Sequence, residues 1–131
     1  WKRFGIYCRF LNEEFGRFAT KLKETPEPAG DGTMLDNTLL LFGSASSAFH
    51  LSRNYPIVLT GGKNMGFKHG QFLNKVGNNY QGGPWLGRKE PWAEKISHQD
   101  LPLSNLYLTM LQRLGVETKS FGGSSQTLDE V

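Results

Sequence analysis

A serine-rich segment with one imidazole is the part of the chain best suited to chemistry. Residues 43–50 read Gly-Ser-Ala-Ser-Ser-Ala-Phe-His and follow a short apolar run directly. A serine hydroxyl activated by a nearby histidine is a nucleophile, so Ser44, Ser46 and His50 are candidate catalytic residues. The spacing is not the Gly-x-Ser-x-Gly turn of hydrolases, and no acid in the segment is placed to orient His50. Serines after a strand also cap the backbone, and this alternative stays open.

Metal chemistry has few candidate ligands. The histidines, His50, His69 and His98, are scattered, and the acidic residues nearest to them in sequence do not cluster with them. Cys8 is the single cysteine, so neither an internal disulfide nor a cysteine metal site can form within this chain. We therefore expect no complete metal or cofactor site here. His50 could donate one ligand to a site completed by an upstream part of a longer protein.

A glycine-rich segment is a further candidate site. Residues 61–66 read Gly-Gly-Lys-Asn-Met-Gly, and successive backbone N–H groups in such a segment can cradle a phosphate. The segment lacks the Gly-Lys-Ser/Thr of a P-loop and the Gly-x-Gly-x-x-Gly of a dinucleotide fold. A tight turn is therefore the favoured interpretation.

Two apolar runs must position these segments. Thr38–Phe42 and Ile57–Leu59 contain no polar alternation and are separated by Gly43–Pro56. Continuous apolar runs are typical of parallel strands buried on both faces. In open α/β sheets, sites form at the carboxyl ends of the strands. The pattern predicts an α/β fold with a parallel-sheet core and the serine-rich segment at one strand end.

Two helices are expected to flank this core. Apolar residues three and four apart over residues 4–22 predict an amphipathic helix that ends before Pro26. A second helix can be capped at its N-terminus by Asp100 or Ser104 and stop at Gly115. Its predicted apolar face consists of Leu103, Leu106, Tyr107, Met110, Leu111 and Leu114.

The stretches that follow the second strand and the second helix have weaker patterns. We expect a short extended piece near Lys68–Leu73 and a short strand over Val116–Phe121. Gly122–Val131 is small and polar, which is typical of a surface tail.

A long glycine-jointed loop over residues 71–99 is predicted to bind another protein chain. Tyr80 and Trp85 lie in it between glycines and Trp92 follows them, and large aromatic residues are enriched at binding hot spots. A loop of this length is uncommon within a compact domain. The alternative is that its rings fold back on their own domain as a satellite cluster.

Length and charge set the remaining bounds. The chain has 131 residues, which suits a single domain over 1–131, with 37% hydrophobic and 21% charged residues. It has no apolar run of the roughly 20 residues that a membrane span needs. The net charge is +3, and without a recognisable nucleic-acid-binding module we expect no nucleic-acid partner.

The chain opens inside a predicted helix without an initiator Met, which suggests the C-terminal piece of a longer protein.

The order of several short motifs resembles the C-terminal part of the HxxSHH family, a bacterial domain-of-unknown-function family of mostly exported proteins. The motifs are Leu35-Asp36-Asn37-Thr38, Gly43-Ser44, Pro56–Gly62, Leu103–Leu108 and Ser120-Phe121-Gly122. The resemblance implies a fold related to the alkaline-phosphatase and sulfatase superfamily and an extracytoplasmic location. It lends no reaction.

The sequence departs from that family at two places. Ser52, Arg53 and Asn54 stand where further histidines or acids would be expected, and Gln71–Gln99 is longer than the family's usual connection. We therefore expect a non-catalytic structural or binding component of an exported bacterial protein or assembly with a hydrolase-like fold. The alternative is a metal-dependent phosphoester or sulfate-ester hydrolase whose site is completed upstream.

Overall fold

The computed structural model describes residues 2–44, 55–75 and 101–131. These residues form two α-helices and two β-strands: α1 is Lys2–Glu24, β1 is Leu39–Gly43, β2 is Ile57–Gly61 and α2 is Ser104–Arg113. Two short 3₁₀ helices, Met34–Asn37 and Lys63–Met65, precede β1 and follow β2.

The chain divides into two compact units. The first comprises Trp1–Phe42 and Ile57–His69, and the second comprises Gly43–Pro56 and Gly70–Val131. The first unit contains α1 and the second contains α2.

The first helix confirms the amphipathic prediction and extends it by two residues at each end. Leu22 is buried, and the Phe15 ring stacks on Phe42 of β1 with ring centroids 4.8 Å apart. The Thr25 hydroxyl donates a hydrogen bond to the Lys21 carbonyl over 2.6 Å, and Pro26 has no N–H with which to extend the helix. One face of α1 therefore packs on the strand.

The parallel-sheet prediction is wrong, and with it the alkaline-phosphatase-like fold. Among the described residues β1 and β2 form a two-stranded antiparallel sheet. The Ser44 N–H donates to the Pro56 carbonyl over 3.2 Å, and beyond the other end the Gly62 N–H donates to the Leu35 carbonyl over 2.9 Å. A parallel pair would need a crossover connection over the sheet. Here the residue after β1 is hydrogen-bonded directly to the residue before β2, as in an antiparallel pair.

The expected burial of both sheet faces is also wrong. Leu41 is 40% exposed and Val58 is 47% exposed, whereas Phe42 beside Leu41 packs on α1. Successive side chains point to opposite faces of a strand. Covering one face with α1 therefore leaves Leu41 on the uncovered face.

The second helix stops at Gly115 as predicted, but Ser104 does not cap it: Ser104 is the first helical residue, and the N-cap is Leu103, which makes no side-chain cap hydrogen bond. Gly115 has a φ of 84°. Its N–H donates to the Gln112 carbonyl, and the Val116 N–H donates to the Leu111 carbonyl, both over 3.0 Å. This pair of bonds is a Schellman motif, which favours glycine because the residue after the C-cap is left-handed.

The buried face of α2 differs from the predicted one. The buried residues of the helix are Asn105, Leu106, Leu108 and Thr109, whereas Leu114 of the predicted face is 50% exposed. The Thr109 hydroxyl donates to the Asn105 carbonyl over 2.8 Å and accepts from the Leu128 N–H over 2.9 Å. These bonds satisfy the polar side chain of Thr109 inside the unit.

The segment Gly122–Val131 is not the surface tail that its composition predicts. Ser124 and Val131 are 5% and 8% exposed, and the Ser124 and Ser104 hydroxyls are hydrogen-bonded. Together with the bond from Leu128, these contacts place the segment against α2.

The short strand expected over Val116–Phe121 does not form, since residues 116–121 have no strand assignment. Phe121 and Ser124 instead exchange two 2.9 Å backbone hydrogen bonds around Gly122 and Gly123, both at positive φ. Two adjacent left-handed residues make a tight turn, which reverses the chain directly after residue 121.

Candidate functional site

The sequence-predicted catalytic residues fall mostly outside the described part of the chain. Ser44 is described: it is exposed, and its N–H is bonded to the Pro56 carbonyl at the end of the strand pair. Ser46 and His50 lie outside the described residues, so their catalytic and metal-binding roles stay predictions. The predicted partner-binding residues Tyr80, Trp85 and Trp92 also lie outside them.

The glycine-rich segment after β2 is a tight turn. Gly61, Gly62 and Gly66 all have positive φ, between 69° and 82°. The backbone donates from Gly62 to Leu35, from Met65 to Gly62 and from Gly66 to Lys63, with N···O distances of 2.9–3.0 Å. A phosphate cradle needs N–H groups that point at the ligand. These three N–H groups are already donated to carbonyls.

A polar depression lies beside the two 3₁₀ helices. It has a volume of about 540 Å³ and is lined by Glu27, Ala29, Gly30, Asp31, Asn37 and Asn64. The Asn64 amide donates to the Asn37 side-chain oxygen over 3.0 Å, and the Asn37 amide donates to the Glu27 carboxylate over 2.9 Å. The three side chains hold one another in place. In the described part of the chain, no group of three or more His, Cys, Asp or Glu is placed to hold a metal ion.

Asp36 is the carboxylate whose ionisation is most clearly tied to the fold. It accepts hydrogen bonds from the Thr33 N–H over 2.7 Å and from the Thr33 hydroxyl over 2.9 Å. These two bonds lower the pKa of Asp36 below its ordinary value of 3.8; desolvation opposes the shift and the charge of Lys63 adds to it. A Cβ on Gly32 would lie 2.6 Å from the Asp36 carboxylate. The carboxylate therefore has a structural role.

We expect Asp36→Asn to remove a pH-dependent part of the stability. Because the folded pKa is lowered, the carboxylate stabilises the fold above the unfolded pKa, and this contribution is lost as pH falls through the folded pKa. The melting temperature of the variant should lie below that of the wild type at pH 7 and approach it as pH falls below about 4. Thermal melts followed by circular dichroism measure this. Asp31→Asn, at an exposed position nearby, is the control and should lower the melting temperature little at either pH. A constant difference for Asp36→Asn across pH 2–7 would contradict the prediction.

Several large apolar side chains of α1 are exposed. Its exposed large side chains, with their exposed fractions, are Phe4 at 62%, Ile6 at 70%, Tyr7 at 57%, Phe10 at 53% and Phe18 at 51%. Phe4, Tyr7 and Phe18 fit the spacing of three and four that predicted the packed face of the helix, yet they are exposed. Ile6 and Phe10 lie off that spacing, and they are the sequence signal that apolar residues continue round the helix.

Charged residues of α1 are paired along its central turns. Arg9 pairs with Glu13 at 2.7 Å, and Arg17 lies 3.7 Å from Glu13 and also pairs with Glu14. The exposed rings therefore lie beside a stretch of helix whose charged side chains are paired with one another.

The comparisons with known proteins found no match to this chain among family models, curated proteins or solved structures. The resemblance to the HxxSHH family therefore stays a prediction. Neither described helix has the length and apolar character that a membrane crossing requires.

Proposed function

We propose that this chain is a non-catalytic structural or binding component that covers its apolar surface against another protein surface. One observation carries the proposal. Among the described residues, five apolar side chains are buried and twelve large apolar side chains are exposed. Five of the twelve lie on the single helix α1, and exposed apolar side chains that cluster on one element mark interaction sites.

The polar groups of the first unit support a structural role. Glu27, Asn37 and Asn64 are bonded to one another, and Asp36 is bonded to Thr33. Catalytic groups must be aimed at a substrate position. Here each of these side chains is engaged with a neighbour in the fold.

Two finer parts of the proposal rest on the sequence alone. The loop over residues 71–99, with Tyr80, Trp85 and Trp92, would provide a further surface for a partner chain. The resemblance to the HxxSHH family supports a place in an exported bacterial assembly, outside the cytoplasm. Because that family lends no reaction, the resemblance adds nothing in favour of catalysis.

The test combines a turnover assay with a measure of exposed apolar surface. We expect no hydrolysis of p-nitrophenyl phosphate or p-nitrophenyl sulfate above buffer with Mg²⁺, Zn²⁺ or Ca²⁺ added. We also expect the folded chain to enhance the fluorescence of anilinonaphthalene sulfonate, and Phe10→Ser to reduce that enhancement. Turnover that disappears in His50→Ala would overturn the proposal in favour of a hydrolase. If the folded chain does not enhance the dye fluorescence, the proposal is also contradicted, because the chain then exposes little apolar surface.

A further inference from the structure

Four exposed residues of α1 share one face. Arg3, Tyr7, Phe10 and Glu14 follow one another at spacings of four, three and four, which places them along a single line of the helix. Tyr7 and Phe10 are more than half exposed, and Arg3 and Glu14 are exposed as well. Along this line a cationic side chain is followed by two aromatic rings and then by an anionic side chain.

We propose that this face binds a second copy of the chain through an antiparallel pair of α1 helices. The inference rests on the proposed function, since it names the partner that covers part of the apolar surface. Reversing one helix about the midpoint between Tyr7 and Phe10 puts Arg3 of each copy opposite Glu14 of the other. The same reversal puts Tyr7 opposite Phe10, twice. Such an interface is isologous, with the same residues contributed by both copies.

The charges select the antiparallel orientation. A parallel pair would set Arg3 against Arg3 and Glu14 against Glu14, which is repulsive. In the antiparallel pair each end joins unlike charges. Glu14 already pairs with Arg17 on its own helix, and a carboxylate has two oxygens and can accept a second cationic donor.

Arg3 can take an anionic partner from outside its own chain. Among the described residues no ion pair involves Arg3. A carboxylate from a second copy would supply that partner.

The interface is short, so the dimer should be weak. The span from Arg3 to Glu14 is about 18 Å of helix, well below the extent of a standard protein interface. We expect a dissociation constant of the order of 10–100 µM.

Sedimentation equilibrium of the full chain from about 5 µM to 1 mM tests the pairing. Arg3→Glu alone and Glu14→Arg alone should each raise the dissociation constant at least about tenfold, because each puts like charges opposite one another. An equimolar mixture of these two variants should dimerise at least as tightly as the wild type, since unlike charges then meet at both ends. Lys2→Glu is the matched control: it makes the same charge change one residue away, off this face, and should leave the constant within about twofold.

A second pair of variants tests the rings. Phe10→Asp should abolish the dimer, whereas Phe18→Asp should preserve it, because Phe18 lies beyond the paired residues although its exposed fraction of 51% matches the 53% of Phe10. A wild-type chain that stays monomeric up to 1 mM overturns the inference, as does a dimer that the mixed variants do not restore. In either case dye binding without ester turnover would leave the proposed function standing, whereas ester turnover would remove that function whatever the oligomeric state.

Discussion

Replacing Gly61 with alanine should lower the free energy of unfolding by about 3–4 kcal/mol. Gly61 ends β2 at a φ of 81°, and a Cβ there would lie 2.1 Å from the Thr38 carbonyl oxygen and 2.9 Å from the Leu35 carbonyl oxygen. These two oxygens belong to the backbone just before β1, so that backbone itself must shift, whereas the Leu35 side-chain carbon that also lies 2.9 Å away could rotate. The loss is a large share of the stability of a small domain. Urea unfolding followed by circular dichroism measures it.

Gly66→Ala is the matched control. Gly66 has a φ of 82°, nearly that of Gly61, but no heavy atom lies within 4 Å of its Cβ position. Alanine there should cost only the left-handed backbone conformation, about 1–2 kcal/mol. The difference between the two variants isolates the contact with Thr38 and Leu35. Equal losses in both would show that the strands yield easily and that the close approach at Gly61 is unimportant.

The sequence predicted this turn but not its importance. Two adjacent glycines after an apolar run indicate a sharp reversal, and the structure has one at Gly61 and Gly62. The pattern could not show that the carbonyls of Leu35 and Thr38, more than twenty residues earlier, would close around Gly61. Such a contact depends on how the strands pair, and pairing is a long-range property.

Strand pairing is also where the fold-class prediction failed. An apolar run of about five residues fits a buried parallel strand, a buried helix segment or a strand in a small antiparallel sheet, and periodicity alone does not separate them. The two helices were easier, because a period of three to four residues over many turns has few alternative explanations. The end of the second helix at Gly115 could also be predicted, because a glycine C-terminal motif depends only on residues that are close in sequence.

The candidate sites could be predicted only where they depend on residues close in sequence. The spacing of Arg3, Tyr7, Phe10 and Glu14 is visible in the sequence, but whether these residues are exposed depends on which face of α1 packs inward. Phe15 settles that by stacking on Phe42. In the depression beside the 3₁₀ helices, hydrogen bonds link Glu27 to Asn37 and Asn37 to Asn64. These residues are far apart in sequence, so no sequence spacing predicts that they meet.

Replacing Leu108 with alanine should lower the free energy of unfolding of the second unit by about 2–5 kcal/mol. Leu108 is 0% exposed and directly precedes Thr109, whose hydroxyl accepts a hydrogen bond from the Leu128 N–H. Deleting its side chain removes apolar contacts and leaves a cavity inside the unit. Thermal unfolding gives the size of the loss, and faster amide exchange at Leu128 would place it at this contact.

Leu114→Ala removes the same atoms at the C-cap of the same helix, from a residue that is 50% exposed, so it should cost less than about 1 kcal/mol. The sequence pattern assigned Leu114 to the apolar face and left Leu108 out of it, so the two substitutions separate the two assignments directly. A larger loss for Leu114→Ala than for Leu108→Ala would restore the face predicted from periodicity. The expected order follows from burial: a side chain that is already half in water has little transfer free energy left to lose.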